Sequence, residues 1–331
     1  MTKGPSGPTL PSNTIVGMVG LGDMGSAIAT SILRTYPLVA CDLRPEAVAK
    51  MVALGARSAD SLKSLADQCD VVILVVVDDK QVNHVVGELL RYPGKIHTII
   101  VSATVLPNTV IALKEQANAI GLDLIDAPVS GGAEKASRGI ITVMIGGDEA
   151  PVKRCWPVFQ SFGKNIFHIG PIGAGSAGKL VNNLLSLGGH ILQLEAMQLA
   201  DAYGISEDAV TEFVSVSAGD SRAIRTWGRI DRARSGYTQT YNELALYQLF
   251  SKDVKTAALA AGQRSVTLPV TACIGATTIE KLMNRDKLLA ARGHKYDIPR
   301  CSICNQELAY PYRKAGVHPE CATDTPGHST W

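Results

Sequence analysis

A glycine-rich turn between a predicted strand and a predicted helix constrains this chain most strongly. Residues 14–19 form a short β-branched and apolar run, and Gly20-Leu21-Gly22-Asp23-Met24-Gly25 follows at once, with a helical pattern after it. Glycines at this spacing permit a tight turn and let the backbone approach a pyrophosphate at the helix N-terminus. The motif therefore predicts a dinucleotide site formed by its six residues.

An acidic residue after the second predicted strand bears on the choice of dinucleotide. Asp42 follows the run 38–41. A carboxylate there accepts hydrogen bonds from the adenosine ribose hydroxyls and repels a 2′-phosphate, which favours NAD over NADP. Arg44 could accommodate such a phosphate, so NADP is not excluded. A turn or N-cap role before Pro45 is the alternative interpretation of Asp42.

Strand and helix patterns alternate along the first half of the chain. Apolar runs at 71–77, 98–101 and 122–125 are separated by helical patterns, which predicts an α/β doubly wound sheet. Ligands of such sheets lie beyond the carboxyl ends of the strands. The further candidate neighbours of the cofactor there are Val76, Val77 and Thr104, although Thr104 could instead satisfy its own loop.

Two later segments suit a small acid as ligand. Ser130-Gly131-Gly132 offers closely spaced backbone N–H groups, a nest suited to a carboxylate. Residues 173–183, G-A-G-S-A-G-K-L-V-N-N, combine a predicted glycine loop with the start of an amphipathic helix that continues to about residue 202. Lys179 and Asn183 are four residues apart, so both side chains project from one helix face. An ordinary surface lysine after a glycine loop is the alternative.

Four motifs in this order resemble those of the β-hydroxyacid dehydrogenases, the group of 3-hydroxyisobutyrate, tartronate semialdehyde and L-threonate dehydrogenases. They are G-L-G-D-M-G at 20–25, D-A-P-V-S-G-G at 126–132, G-x-G-x-x-G-K-x-x-N-N at 173–183, and Lys252-Asp253 with Ala257 after it. The resemblance covers about residues 14–285. It implies a Rossmann domain, then a long interdomain helix and an all-α C-terminal domain.

The same resemblance implies roles for individual residues. Lys179 would be the catalytic acid/base, and Asn183 would hold the substrate. The Ser130-Gly131-Gly132 segment would bind the substrate carboxylate. Lys252 would lie at the nicotinamide side of the cofactor. Oxidation of an alcohol needs a base for the hydroxyl proton, and a lysine can serve if its surroundings lower its pKa.

Four segments are predicted along the chain. They are a disordered tail at 1–13, the NAD-binding Rossmann domain at 14–177, the all-helical domain at 178–291 and an atypical extension at 292–331. The extension contains Cys301, Cys304, His318 and Cys321 at the spacing of a structural zinc knuckle. A disordered extension with incidental cysteines is the alternative. No metal is assigned to the catalytic site.

Charge and hydropathy restrict the partners. A net charge of +2 offers no electrostatic argument for nucleic acid or an anionic membrane. The longest apolar run, 71–77, is far short of the ~20 residues that span a bilayer, and the first thirteen residues lack the apolar segment of a secretory signal. We therefore expect a cytoplasmic protein that binds a small carboxylate-bearing substrate.

These observations predict an NAD-dependent dehydrogenase of a small 3-hydroxy acid such as 3-hydroxyisobutyrate, L-threonate or glycerate. From the resemblance, we expect a homodimer or homotetramer. A reductase of the same fold that acts on another carbonyl or imine is one alternative, and a non-catalytic dinucleotide-binding interaction module is another. Lys179 argues against both, because proteins of these two classes generally lack the lysine.

Overall fold

A computed structural model describes residues 9–231, 245–292 and 302 of the chain. These residues divide into two compact units. One contains the described residues up to Asn182 together with Leu259–Val266, and the other contains those from Asn183 to Ala258 and from Thr267 onward. Along the chain, the first boundary between the units follows Asn182, whereas the sequence predicted it after residue 177.

The described residues of the first unit form a nine-stranded sheet. Its strands are β1 (Val16–Val19), β2 (Leu38–Cys41), β3 (Arg57–Ser58), β4 (Val71–Leu74), β5 (Thr98–Val101), β6 (Asp123–Asp126), β7 (Val129–Ser130), β8 (Ile141–Gly146) and β9 (Gly163–Gly170). The order is β3-β2-β1-β4-β5-β6-β8-β7, and β9 also pairs with β8. The strands from β3 to β6 in this order pair in parallel, while β8 is antiparallel to β6 and β7. This order confirms the predicted Rossmann-type sheet.

Helices cover both faces of this sheet. They are α1 (Asp23–Ile32), α2 (Pro45–Ala53), α3 (Leu62–Gln68), α4 (Asp79–Arg91), α5 (Pro107–Asn118), α6 (Ala133–Ser137) and α7 (Glu149–Phe162). Met18 of β1 belongs to the apolar cluster that contains Ile28 and Phe159, whereas the next residue, Val19, belongs to the cluster that contains Leu65 and Val86. Successive residues of a strand face opposite sides, so the central strands are buried on both faces.

The apolar run 71–77 forms a shorter strand than predicted. β4 ends at Leu74, opposite Val101, which is the last residue of β5. The exposed Val77 donates its N–H to the side chain of Gln81 at 2.9 Å. Asp78 then caps α4 with its carboxylate. The end of the run is therefore the loop at the carboxyl end of β4, because the chain leaves the sheet to start a helix.

The predicted N-terminal tail is partly described by the structure. Residues 1–8 are outside the described part of the chain. Leu10, however, donates its backbone N–H to the carbonyl of Arg154 at 3.0 Å and packs against the core of the first unit. The prediction of a disordered segment up to residue 13 is thus wrong for its last residues, because a leucine in that segment finds an apolar surface to cover.

The described secondary structure of the second unit is helical, which confirms the predicted all-helical part. A helical stretch begins with α8 (Ala174–Asn183), of which only Asn183 belongs to this unit, continues through a π-helical segment (Leu184–Gly188) and ends with α9 (Gly189–Ala202). It is followed by α10 (Glu207–Val214), α11 (Arg222–Arg225), α12 (Ala245–Gly262) and α13 (Pro269–Arg292). Among the described residues, no helix combines the length and apolar character needed to cross a bilayer.

The long helix starts earlier than predicted. It begins at Ala174, so Gly175 and Gly178 lie inside the helix and not in a loop. The glycines were interpreted as loop residues because glycine lowers helix propensity. Close packing against the sheet offers the reason for glycine at these positions: a Cβ at Gly175 would lie 2.6 Å from the carbonyl oxygen of Met144.

Arg285 of α13 is a buried cation at the centre of the second unit. It is 5% exposed. Its guanidinium donates to Glu207 at 2.9 Å and to Asp231 at 3.2 Å, and it lies 5.0 Å from the ring centre of Trp227. The indole N–H of Trp227 donates to Glu207 at 2.6 Å. The network joins α10 and α13 through charges that are shielded from water.

His190 of α9 is a buried imidazole beside this network. Its ring centre lies 5.8 Å from that of Trp227. Burial and then the nearby Arg285 cation lower its pKa from 6.5 to about 4. The imidazole is therefore neutral in the folded protein at neutral pH.

This histidine should make the protein sensitive to acid. Between pH 6.5 and pH 4 the unfolded chain takes up a proton at His190 and the folded chain does not, so stability falls as the pH is lowered through this range. Between pH 7 and pH 5 this single group should cost about 2 kcal/mol in the free energy of unfolding. Urea unfolding at both pH values measures the loss, and a His190→Leu variant should lose less on acidification. Equal losses in the two proteins would contradict the prediction.

Candidate active site

The turn between β1 and α1 brings backbone atoms closer together than side chains would allow. Gly20 has a φ of +88°, and a Cβ at this position would overlap the carbonyl oxygen of Val75. A Cβ at Gly25 would overlap the carbonyl oxygen of Gly20. Gly22 precedes α1 in an extended conformation without a side-chain cap. The first N–H groups of a helix have no partner within the helix and can bind a pyrophosphate.

The predicted motif residues thus occupy the turn and the first turn of α1. Leu21 is buried in the core of the first unit. Asp23 and Met24 are the first two residues of α1. The turn suits a dinucleotide, because its glycines let the backbone turn tightly at the N-terminus of α1, which is the steric condition for this type of site.

Asp42 lies at the carboxyl end of β2, next to this turn. Its Oδ2 accepts the N–H of Leu21 at 2.6 Å, and its Oδ1 accepts the backbone N–H of Arg44 at 2.9 Å and the Nε of Arg44 at 3.0 Å. Partial burial raises the pKa of this carboxyl, but the hydrogen bonds from Arg44 and Leu21 outweigh it and hold the pKa below its usual range. Asp42 is therefore an ionised acceptor at the position that suits an adenosine ribose.

The other predicted cofactor neighbours follow the next strands of the sheet. Val76 and Val77 follow β4, and Thr104 follows β5. Since β1, β4 and β5 are parallel neighbours, the residues after them lie at the same sheet edge as the glycine turn.

Asp126, the last residue of β6, is fully buried at 0% exposure. Its Oδ1 accepts the N–H of Gly173 at 2.8 Å, and its Oδ2 accepts the N–H of Ser176 at 2.6 Å. Burial raises the pKa of this carboxyl, and these two N–H groups oppose the increase. A Cβ at Gly175 would lie 2.6 Å from the carbonyl oxygen of Asp126. The first turn of α8 is thereby fixed against the end of β6.

Two adjacent glycines of the Ser130-Gly131-Gly132 segment have positive φ values. Gly131 has a φ of +146° and Gly132 a φ of +84°, both in the region that favours glycine. The Ser130 hydroxyl accepts a long hydrogen bond from the Asn182 side chain, at 3.4 Å. The segment and the end of α8 therefore lie side by side within the first unit.

Lys179 is the sixth residue of α8 and is partly buried. Its position in the first unit is thus on the helix that Asp126 fixes, rather than in the loop-to-helix junction predicted from the glycines. Lys179 follows Ser176 by three residues, so the two are neighbours on the helix surface.

Asn183 and Lys252 contact a common carboxylate in the second unit. The buried Asn183 side chain donates to Asp253 at 2.8 Å, and Lys252 forms an ion pair with Asp253 at 2.9 Å. The π-helical segment begins directly after Asn183, and such segments are frequent at functional sites. From the sequence, Asn183 and Lys179 were expected to project from one helix face; the structure shows Asp253 as a partner of Asn183.

Three polar residues of these contacts were absent from the predicted site residues, namely Asp126, Asn182 and Asp253. Asp126 could have been noticed, because a carboxylate at the end of an apolar strand run must find donors when it is buried. Asp253 is part of the motif with Lys252, but nothing in the sequence shows that its partner is Asn183. Asn182 is part of the motif at 173–183, but nothing in the sequence shows that its partner is Ser130.

The predicted zinc ligands Cys301, Cys304, His318 and Cys321 are outside the described residues. Within the part of the chain that the structure describes, no group of three or more His, Cys, Asp or Glu side chains could hold a metal ion.

Two family models match the chain in succession. The model for the NAD binding domain of 6-phosphogluconate dehydrogenase matches residues 15–170. The model for the NAD-binding part of NADP-dependent 3-hydroxyisobutyrate dehydrogenase matches residues 173–296. The NAD-dependent L-serine dehydrogenase of Pseudomonas aeruginosa is 32% identical over an alignment of 263 residues. The match covers 77% of this chain and 88% of that relative. The chain belongs to the β-hydroxyacid dehydrogenase family.

Further relatives agree with this membership. The L-threonate dehydrogenase of Cupriavidus necator is 34% identical over 265 residues, which are 78% of this chain and 86% of that enzyme. The crystal structure of a 3-hydroxyisobutyrate dehydrogenase from Salmonella typhimurium has a TM-score of 0.66 at 31% identity and covers 83% of this chain and 95% of that one.

Family membership confirms several predictions. The protein is a hydroxyacid dehydrogenase that uses NAD(P), with a Rossmann-type NAD-binding domain followed by a helical domain. NAD is confirmed as a cofactor of the family, and NADP-dependent members are similar to the same chain. The tight glycine turn and the ionised Asp42 fit this cofactor.

Proposed function

We propose that the protein oxidises the hydroxyl group of a small 3-hydroxy acid with NAD, and that Lys179 is the general acid/base. The observation that carries the proposal is the arrangement within the first unit. The glycine turn, the Ser130–Gly132 nest and the helix that bears Lys179 all adjoin the carboxyl-end edge of one sheet, where ligands of this fold bind.

The chemistry divides between the cofactor and the chain. Bound NAD supplies the hydride acceptor. Lys179 takes the hydroxyl proton during oxidation and returns it during reduction, which is general base and general acid catalysis by one group. The N–H groups of Ser130, Gly131 and Gly132 hold the substrate carboxylate, because the two glycines have no side chains to obstruct its approach.

Two residues of the second unit complete the proposal, and their roles come from the family resemblance. Asn183 holds the substrate, with its amide orientation fixed by the hydrogen bond to Asp253. Lys252 lies at the nicotinamide side of the cofactor. Its ammonium is held by the same carboxylate, so both side chains have a defined direction before any ligand binds.

A substrate panel tests the proposal. The purified protein is given 3-hydroxyisobutyrate, L-threonate, glycerate, 3-hydroxypropionate or L-serine, each with NAD and with NADP, and formation of reduced nicotinamide is followed. We expect turnover with at least one acid and NAD. No turnover with any member of the panel would overturn the assignment and favour a reductase that acts on another carbonyl or imine.

We expect Asp42 to determine the preference for NAD. In an Asp42→Ala variant the ribose loses a charge-assisted acceptor and Arg44 loses its carboxylate partner, so a 2′-phosphate meets less repulsion. The ratio of kcat/KM with NAD to kcat/KM with NADP should fall at least ~10-fold. Steady-state kinetics with both cofactors measure this ratio. An Asp60→Ala variant, which removes an exposed carboxylate after the neighbouring strand β3, is the matched control and should keep the ratio.

We also propose that the protein forms a homodimer or homotetramer. Leu185, Leu192 and Leu199 follow one another at intervals of seven residues along the long helix and are 77%, 64% and 63% exposed. An exposed apolar stripe of this period is typical of helices that pair with another helix. Light scattering at micromolar concentration tests this assembly, and a monomer would contradict it.

The cytoplasm is the location that we propose. Burial raises the pKa of both Cys69 and Cys155 to about 12, so both remain protonated thiols inside the first unit. Reduced thiols of this kind suit a reducing compartment. Recovery of the native protein from a secreted fraction would contradict the proposal.

A further inference from the structure

We propose that Asp126 is a positioning residue for Lys179: its carboxylate fixes the first turn of α8 and, as a buried negative charge at that end of the helix, favours the protonated lysine. This inference rests on the proposed function, in which Lys179 carries the proton. Asp126 itself contacts neither substrate nor cofactor in the proposal and acts only through the helix.

Two hydrogen bonds connect Asp126 to the start of α8. Each carboxylate oxygen of Asp126 accepts a different backbone N–H, one from Gly173 at 2.8 Å and one from Ser176 at 2.6 Å. A carboxylate that accepts hydrogen bonds from two N–H groups at the start of one helix fixes both the direction of the helix axis and the rotation of the helix about that axis. Lys179 is three residues beyond Ser176, about 4.5 Å along the axis, so its side chain inherits this orientation.

The backbone around Asp126 leaves little space for adjustment. A Cβ at Gly146 would overlap Oδ1 of Asp126, and a Cβ at Gly175 would lie 2.6 Å from the carbonyl oxygens of both Asp126 and Met144. Backbone atoms of β6, β8 and α8 are therefore in direct contact. A change at Asp126 cannot be absorbed locally by side-chain movement, so it must move the start of α8.

The carboxylate of Asp126 also acts through its charge. Asp126 is 0% exposed, so water does not screen its carboxylate. A negative charge at a helix N-terminus offsets the positive end of the helix dipole. Without it, that positive end would disfavour an ammonium group in the next turn. The ionised Asp126 therefore stabilises the proton on Lys179 relative to an uncharged residue at the same place.

An Asp126→Asn variant tests the proposal, because it keeps the shape of the side chain. The amide has only one oxygen, so its NH2 group must face the N–H of either Gly173 or Ser176, and one of the two hydrogen bonds is lost. The negative charge is lost as well. We expect kcat with the best panel substrate to fall at least ~10-fold, since a small displacement of a catalytic group is costly, with KM for NAD changed less than twofold. The acid limb of the oxidation profile should move about half a pH unit lower, because the lysine releases its proton more easily.

Asp123→Asn is the matched control. Asp123 is the first residue of the same strand and forms ion pairs with Arg154 and Lys114, the latter at 3.8 Å. None of these partners belongs to α8. The control makes the same chemical change three residues away, and we expect its kcat and pH profile to match those of the unmodified protein. An equal effect in both variants would overturn the proposal.

A second readout does not depend on turnover. The rate at which acetic anhydride acetylates Lys179, followed by peptide mass spectrometry across a range of pH, reports the proton affinity of this lysine directly. We expect the midpoint to be lower in Asp126→Asn than in the unmodified protein and in Asp123→Asn. Unchanged midpoints would overturn the link between the two residues. An unmodified protein that turns over no panel substrate yet shows the expected midpoints would instead overturn the proposed function alone.

If circular dichroism shows that Asp126→Asn does not fold, a Gly175→Ala variant provides an alternative test. The added methyl group pushes the first turn of α8 away from β6 without changing any charge. We expect kcat to fall at least ~10-fold and the acetylation midpoint of Lys179 to stay unchanged. A kcat equal to that of the unmodified protein would overturn the positioning role.

Discussion

Replacing Lys179 with alanine is expected to reduce turnover at least ~100-fold while leaving NAD binding intact. The proposed base lies on α8, whereas the predicted phosphate and ribose contacts lie at the turn after β1 and at Asp42. Loss of the amine therefore removes the proton acceptor without touching the residues that fit the dinucleotide. Steady-state kinetics with the best panel substrate and NAD titration by fluorescence measure the two effects.

Two further variants separate proton transfer from charge. Lys179→Arg keeps the positive charge, but a guanidinium does not give up its proton at working pH. It should therefore oxidise the substrate about as slowly as the alanine variant. Lys164→Ala removes an exposed lysine of β9 and should behave like the unmodified protein. Normal turnover in Lys179→Ala, or activity retained by Lys179→Arg, would contradict the assignment of this lysine as the base.

Replacing Arg285 with methionine is expected to lower the free energy of unfolding by about 3–5 kcal/mol. Methionine preserves much of the volume, but it leaves the buried Asp231 and the partly buried Glu207 without the cation that they share. It also removes the charge above the Trp227 ring. Urea unfolding monitored by circular dichroism measures the loss.

Arg292→Met is the matched control for this loss. Arg292 lies one to two turns further along α13 and bonds to the exposed Asp201 at 2.6 Å, with Glu207 at 3.6 Å. Because its side chain is 33% exposed, water compensates its partners, and a loss of at most about 1 kcal/mol is expected. Similar losses in the two variants would show that burial does not set the cost here.

Much of the fold followed from local sequence patterns. The alternation of strand and helix runs and the glycine turn at 20–25 predicted the doubly wound sheet, because each pattern reports on its own segment. The ends of elements were less predictable. The strand that starts at Val71 ends at Leu74, opposite the last residue of the neighbouring strand β5. The apolar run 71–77 alone does not show where that neighbour ends.

The candidate site shows the same limit. The motif at 173–183 was interpreted as a loop followed by a helix, since glycine is a poor helix former. Only the contacts between Gly175 and β6 explain why a helix there needs glycine. The partners of Asn183 and Ser130 were equally out of reach, because they join residues that are 70 and 52 positions apart in the chain.

The assignment of Leu259–Val266 to the first unit has a consequence for anyone who divides this protein into pieces. A fragment that stops at Asn182 would lack Leu259–Val266, which belong to the same compact unit. A fragment that begins at Asn183 would contain these residues without the unit to which they belong. Chimeras that exchange everything after Asn182 between members of the family would exchange that segment too. A recombination design that keeps Leu259–Val266 with the parent of the nucleotide-binding part therefore preserves each unit as it folds here.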